Sequence, residues 1–270
     1  MFKNIFMYEL EKFWTKKINL ICFASILIIS IVSLKFGLDN NSSAQLTDPI
    51  FSSNMNFQIT SLQESIITMF NIIIIIFFTL SFNEEYRKGT LKMAFLRPIS
   101  IRKLYVAKVL VLMLNVLLLL VIQIMFSLIL GNIFLPHVNE TGLFLKEGTY
   151  AVKDTIIYTL KYYFMGYMTL IAFGSIIQFL SIKCKTITVA IGMSIATIFV
   201  NFIYIAAILT ILKDANEFGY LSISTIYAQF SGMAYFAAGV TNSFVIGMTI
   251  LIVIFQVLAY FSFIKEDYLE

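Results

Sequence analysis

Residues Asn83 to Lys108 read NEEYRKGTLKMAFLRPISIRKLYVAK and sit between two long apolar runs. The stretch holds seven of the nineteen basic residues: Arg87, Lys88, Lys92, Arg97, Arg102, Lys103 and Lys108. A short loop this basic between two membrane spans faces the cytoplasm by the positive-inside rule. It is also longer and more patterned than a connector needs. That marks it as a place where a cytoplasmic partner can grip.

The rest of the chain supports the membrane reading. Of 270 residues, 60% are hydrophobic and 13% charged, with a mean hydropathy of +0.90. A soluble domain carries roughly 25% charged residues. Apolar runs long enough to cross about 30 Å of hydrocarbon recur throughout. The segments of about ten alternating residues that mark a membrane barrel are missing. The fold class is therefore an all-α polytopic membrane protein. The net charge of +4 sits at span ends, so it marks topology and implies no nucleic-acid partner. Cys22 and Cys184 are the only cysteines. They lie in different environments and suit a reducing compartment. The first apolar run begins near Ile18 and lacks a small-residue cleavage site, so no cleaved leader is expected.

Six spans are predicted, within one membrane domain covering 1–270. They run roughly over 18–36, 64–82, 109–135, 156–182, 186–212 and 241–264, with boundaries uncertain by about four residues. Residues 1–17 precede them. Phe2, Ile5, Phe6, Leu10, Phe13 and Trp14 fall at helical spacing, while Lys3, Glu9, Glu11, Lys12 and Lys16 fill other faces. This reads as an interfacial amphipathic helix, or alternatively as a helical cap on span one. Residues 37–63 are expected as a polar outer segment, and 137–155 as an outer loop. Residues 218–240 are uncharged, aromatic and broken by Gly219, Gly232 and Gly239. They read as a pair of short re-entrant helices packed on protein. A seventh span is the alternative.

Orientation follows from charge. Predicted inner segments hold Lys3, Lys12, Lys16, Lys17, the seven loop residues, Lys183, Lys185 and Lys265. Predicted outer segments hold only Lys35, Lys146, Lys153, Lys161 and Lys213. Both termini are thus placed in the cytoplasm.

Catalytic motifs are missing. No GxxxxGK[ST] loop occurs, so the chain is expected to be no ATPase by itself. His137 is the only histidine, which rules out multi-histidine metal sites and a Ser/His/Asp set in the membrane. The sequon Asn139-Glu140-Thr141 is too common by chance to weigh. Span centres carry essentially no ionisable residue, with Lys161 the nearest and able to snorkel. That counts against an ion-coupled secondary transporter, the alternative function, which would also show inverted repeats. Asn71, Asn115, Gln123, Gln178, Asn201 and Gln256 are expected to hydrogen-bond between helices.

The loop itself carries a resemblance. Glu85-Tyr86-Arg87-Lys88-Gly89-Thr90-Leu91, then Arg97-Pro98-Ile99-Ser100-Ile101-Arg102-Lys103-Leu104, then Ala107-Lys108, is similar to the pattern of ABC transporter permeases of type 2. One departure is Ile101 between Ser100 and Arg102, where arginine often follows the serine directly. The resemblance implies an exporter permease that pairs with a second permease chain, identical or homologous. Two separate cytoplasmic ABC ATPase subunits, which bind ATP and Mg, would dock on it. No cofactor is implied in this chain. Leu91 to Pro98 would be the coupling helix or its edge, with Met93 and Leu96 projecting apolar contacts and Lys92 and Arg97 at the rim. Gly89-Thr90 would break the span's extension, Thr90 capping the next helix. Glu84 and Glu85 would pair with basic residues of a neighbouring loop, beside Arg87. A composition rich in Ile, Phe, Asn and Lys suggests an AT-rich bacterium, and small permeases of this kind resemble exporters of antimicrobial or amphipathic peptides.

The charge pattern yields a topology test. In a background lacking Cys22 and Cys184, cysteines at Ser42 and Asn139 should react with an impermeant thiol reagent on intact cells. A cysteine at Lys183 should not, and its labelling from outside would reverse the orientation.

Overall fold

The computed structural model describes residues 2–87, 100–211 and 217–265. Among them, six helices are long and apolar enough to cross a membrane. Hydrocarbon offers no hydrogen bonds, so apolar segments close their backbone bonds internally as helices. α1 (Phe2–Thr15) precedes the spans and buries Ile5, Glu9 and Phe13. Span one is α2 (Lys17–Asn41). Span two is compound: α3 (Phe57–Ser65), a π-helical turn (Ile66–Phe70) and α4 (Asn71–Arg87). Span three is α5 (Ile101–Phe134), followed by the strands β1 (Glu140–Gly142) and β2 (Thr149–Ala151). α6 (Val152–Lys183) and α7 (Ile187–Ile211) are spans four and five. Three short helices follow: α8 (Glu217–Leu221), α9 (Thr225–Tyr227) and α10 (Met233–Ala238). The last span is α11 (Ser243–Lys265). Leu212, Lys213 and the tail after Lys265 lie outside the described residues.

The spans fall where hydropathy puts them, but their ends move. Span two begins seven residues before the predicted Glu64, at Phe57. The polar stretch from Gly37 to Gln63 therefore shrinks to 42–56, because Gly37–Asn41 continue α2 and 57–63 start α3. Few of those α3 residues are strongly apolar, yet nearly all are buried. Tertiary packing, not propensity, makes them helical. The predicted loop at 137–155 contains the hairpin, with Thr141 opposite Tyr150. Ser53 Oγ donates to Thr141 Oγ1 at 3.4 Å, and the backbone N–H of Asn54 donates to the Pro136 carbonyl at 3.2 Å. The two long connections thus knit together at one end of the bundle, here the hairpin end. The opposite end, where α4 stops and α5 starts, is the basic end.

The segment before the last span is broken, as its glycines predict. No one piece is long enough to cross. Ser224 caps α9 by accepting from the Tyr227 N–H, a π-helical turn (Ala228–Gly232) interrupts the run, and Gly239 ends α10 at φ +81°. The interruption is sealed by protein. Asn71, at the end of the first π turn, exchanges two hydrogen bonds with Gln229 in the second, at 2.8 and 3.0 Å. The Asn201 carboxamide oxygen accepts from Ser224 Oγ at 3.0 Å.

Other amides join spans in the same way. Gln123 on α5 donates to Ser61 Oγ at 2.7 Å and accepts from Ser30 Oγ at 3.2 Å, linking α2, α3 and α5. Gln178 donates to the Tyr105 hydroxyl at 2.8 Å. That hydroxyl donates to Gln256 Oε1 at 2.9 Å, and Gln256 donates back to Gln178 Oε1 at 3.0 Å. The ring ties α5, α6 and α11. Asn115 departs from expectation: it donates to Val111 on its own helix, and its oxygen finds no partner. Where such polar groups have no water to fall back on, a matched pair sets helix register as much as it adds stability.

Glycine sets several close approaches. At Gly174, a Cβ would meet the Phe78 ring at 2.5 Å, so α4 packs directly on the α6 backbone. At Gly247, it would meet the Ser222 carbonyl at 2.2 Å. Gly247→Ala should therefore cost about 1–3 kcal/mol by overpacking, seen as a lower unfolding temperature in detergent. Gly192→Ala, where the space is open, should leave that temperature unchanged.

Candidate functional site

The predicted coupling residues Gly89, Thr90, Leu91, Lys92, Met93, Leu96, Arg97 and Pro98 lie outside the described residues. Glu84, Glu85 and Arg87 belong to the last turn of α4. What can be built from the residues upward is the frame holding the two stems of this loop.

The first stem is the end of α4. Asn83 is 1% exposed, and its amide donates to the Ser181 carbonyl at 3.0 Å and also to the Cys184 carbonyl. Those carbonyls belong to the C-terminus of α6, where helical acceptors run out of partners. One side chain thereby anchors span two to the connection between spans four and five. Burial raises the Cys184 thiol above its ordinary pKa, which keeps it protonated and a poor nucleophile.

The second stem is the start of α5. Lys108, two turns into that helix, is 2% exposed. Its Nζ lies 2.8 Å from Glu9 Oε2 on α1 and donates to the Ser81 carbonyl on α4 at 3.4 Å. Lys16, just past α1, donates to the Leu80 carbonyl at 3.0 Å. Aromatic packing fixes the same helix. Phe13 meets Phe77 edge-on with centroids 4.9 Å apart, and Trp14 stacks on Phe23 at 4.8 Å. α1 is thus strapped across both stems.

This corrects the sequence reading at two residues. Glu9 was assigned to a polar face of α1, and Lys108 to the topological charge. Both are buried and paired. The signal was present in the spacing, because Glu9 stands four residues from both Ile5 and Phe13 and shares their face. A carboxylate in line with core residues demands a cation, and Lys108 supplies it.

At the hairpin end a cavity of about 490 Å³ opens between the start of α3, the second half of α5 and the start of α6. One wall is apolar, with Ile124, Leu128, Ile156 and Leu160. The other is polar and uncharged apart from His137, with Asn54, Gln58, Asn132 and Thr159. Such a lining suits a ligand with one apolar and one hydrogen-bonding face. Among the described residues no group of acidic, histidine or cysteine side chains could hold a metal ion.

The strap yields a stability test. Lys108→Met should cost about 3–5 kcal/mol by leaving a buried carboxylate without its cation. Glu9→Leu combined with Lys108→Met should recover most of that loss, read as unfolding temperature in detergent. Equal damage in the single and double variants would mean that the pair is not what holds α1.

Comparison with known proteins bears on this frame. Residues 5–201, from α1 into α7, match the family model described as ABC-2 family transporter protein. No curated protein matches the chain. The match takes in α1, both loop stems and spans one to four. The chain belongs to the ABC-2 family of transporter proteins, as a multi-pass membrane transport component.

Proposed function

We propose that the chain is the permease subunit of an ATP-driven exporter that moves amphipathic cargo, peptides foremost, out of the cell or the membrane. The observation that carries this reading is the frame around the basic loop. Its stems are tied to each other and to two further elements, α1 and the α6 terminus, by Asn83 and Lys108. A loop that only set topology would need no such anchoring.

Two cytoplasmic ATPase subunits bind ATP with Mg and hydrolyse it, since this chain lacks a phosphate-cradling loop. Glu84, Glu85, Arg87 and the segment from Gly89 to Pro98 form the contact. Met93 and Leu96 enter the partner's surface, with Lys92 and Arg97 at the rim. Displacement of the contact moves α4 and α5 together with α1 and the α6 terminus, because the stems are bound to these as one body. Sliding them against one another would break buried hydrogen bonds. Motion therefore passes as rigid-body tilt toward the hairpin end, where the 490 Å³ cavity offers matched apolar and polar walls to cargo.

The working unit contains two permease chains, identical or homologous. α7 buries only Ala190 and Ser194 within the chain, so most of its surface is left for that partner and for lipid. The complex sits in a bacterial cytoplasmic membrane with both termini inside.

The test is a substitution in the loop. Leu96→Asp would place a carboxylate in an apolar contact without a cation, which is strongly unfavourable. It should abolish co-purification of the ATPase, or its stimulated activity, while the permease still inserts. Arg97→Ala should act more mildly, through association rate and salt dependence. The purified chain alone should show no ATP turnover. Intact recruitment and transport in Leu96→Asp would remove the coupling assignment.

A further inference from the structure

A second cavity, of about 230 Å³, lies on another face of α3 and is lined by Asn40, Ile50, Thr60, Gln63, Glu64 and Phe144. Glu64 decides its character. α3 starts at Phe57, so Glu64 stands seven residues, about 10 Å, along the helix. Ser33, which neighbours its carboxyl group, is eight residues, about 12 Å, before the end of α2 at Asn41. Glu64 therefore stands within span two as an exposed residue, and its cavity opens beside the last turn of α2 at Asn40 and the connections at Ile50 and Phe144.

Among the described residues Glu64 has no ion-pair partner, in contrast to Glu9. None of the residues lining the cavity is basic. Beside it, Gln63 Oε1 is buried and accepts no hydrogen bond. The Glu64 carboxyl accepts one hydrogen bond from Ser33 and Gln63 Oε1 accepts none, so two oxygen acceptors share one cavity that has no cation in its lining. A carboxylate at membrane depth is costly and is retained where it meets a cation or lines a functional path. A proton relay would need a next titratable station, and Asn40, Thr60 and Gln63 do not titrate. A calcium ion would need six or more oxygens, more than these side chains supply. The remaining match is an organic cation. The volume lies below the roughly 300–1,000 Å³ of whole small-molecule sites, so it suits one side-chain-sized group. Ile50 and Phe144, from the two connections at the hairpin end, offer an apolar wall for an alkyl stem and an aromatic face for a cation.

We propose that this cavity is a cation subsite, in which Glu64 and Gln63 hold an ammonium or guanidinium group of the amphipathic cargo. The assignment rests on the exporter reading for the word cargo, but its test needs no ATPase. The full chain in phosphatidylcholine nanodiscs is titrated with a fluorescent amphipathic helical peptide of leucine and lysine, and with the same peptide acetylated on every lysine. Binding above that of empty nanodiscs is measured. Glu64→Gln should weaken the lysine peptide by about tenfold or more, the scale of a hydrogen bond to a charged group, and leave the acetylated peptide unchanged. Glu64→Asp should restore most of the difference, and Gln63→Leu should weaken the lysine peptide by a smaller factor. Equal affinity of wild type and Glu64→Gln for the lysine peptide would overturn the proposal. So would equal loss for both peptides, which would report a distorted apolar wall. Conversion of a dimer to monomers by Glu64→Gln would also overturn it, because the cation would then come from a second copy. Charge-selective binding that persists while Leu96→Asp leaves ATPase recruitment intact would keep the subsite and remove the exporter mechanism.

Discussion

Hydrocarbon gives a backbone nothing to bond with, and the breaks in the helices before the last span and in span two answer that constraint. Where the chain breaks between α9 and α10, the broken turn is matched by a second irregular turn in span two. Asn71 and Gln229, 158 positions apart, close the gap with a reciprocal amide pair. Asn201 does the same for the cap of α9. Each irregularity is thereby enclosed by neighbouring spans, which is the condition under which non-helical backbone is tolerated at membrane depth.

The same scarcity of partners makes the interior polar groups selective. A leucine-rich helix packs against another in many registers, because lipid and leucine are equally apolar. Gln123 satisfies Ser30 and Ser61 in only one, and the Tyr105, Gln178 and Gln256 ring likewise admits one arrangement of α5, α6 and α11. Their net contribution per bond is modest. Their effect on which packing wins is large, since a mismatched register would leave several of them without partners at once.

At the basic end the requirement turns electrostatic. Glu9 and Lys108 are costly to bury singly, so each holds the other in place. The consequence is mechanical. The N-terminal helix α1, the end of span two and the start of span three meet around one ammonium group, and Asn83 adds the end of span four. Load applied between the stems is shared by four elements.

Much of the fold was legible in the sequence alone. Apolar runs located six spans because crossing a bilayer needs about twenty apolar residues whatever the neighbours are. The glycines at 219, 232 and 239 marked the broken segment, and charge clustering picked out the basic loop. The expected role of Asn71, Gln123, Gln178, Asn201 and Gln256 was also readable, since a polar side chain in a span must bond to something. Their partners were not readable. Gln229 is invisible as the mate of Asn71 until two irregular turns are placed side by side. The burial of Lys108 depends on α1 crossing α4 and α5, which no local pattern specifies. Glu64 looked like the boundary of a span because residues 57–63 are weakly apolar, and packing beneath the hairpin end decided that they are helical and that Glu64 falls within the helix of span two. Hydropathy is a property of one segment and survives in sequence. Pairing is a property of two, and only the tertiary structure decides it.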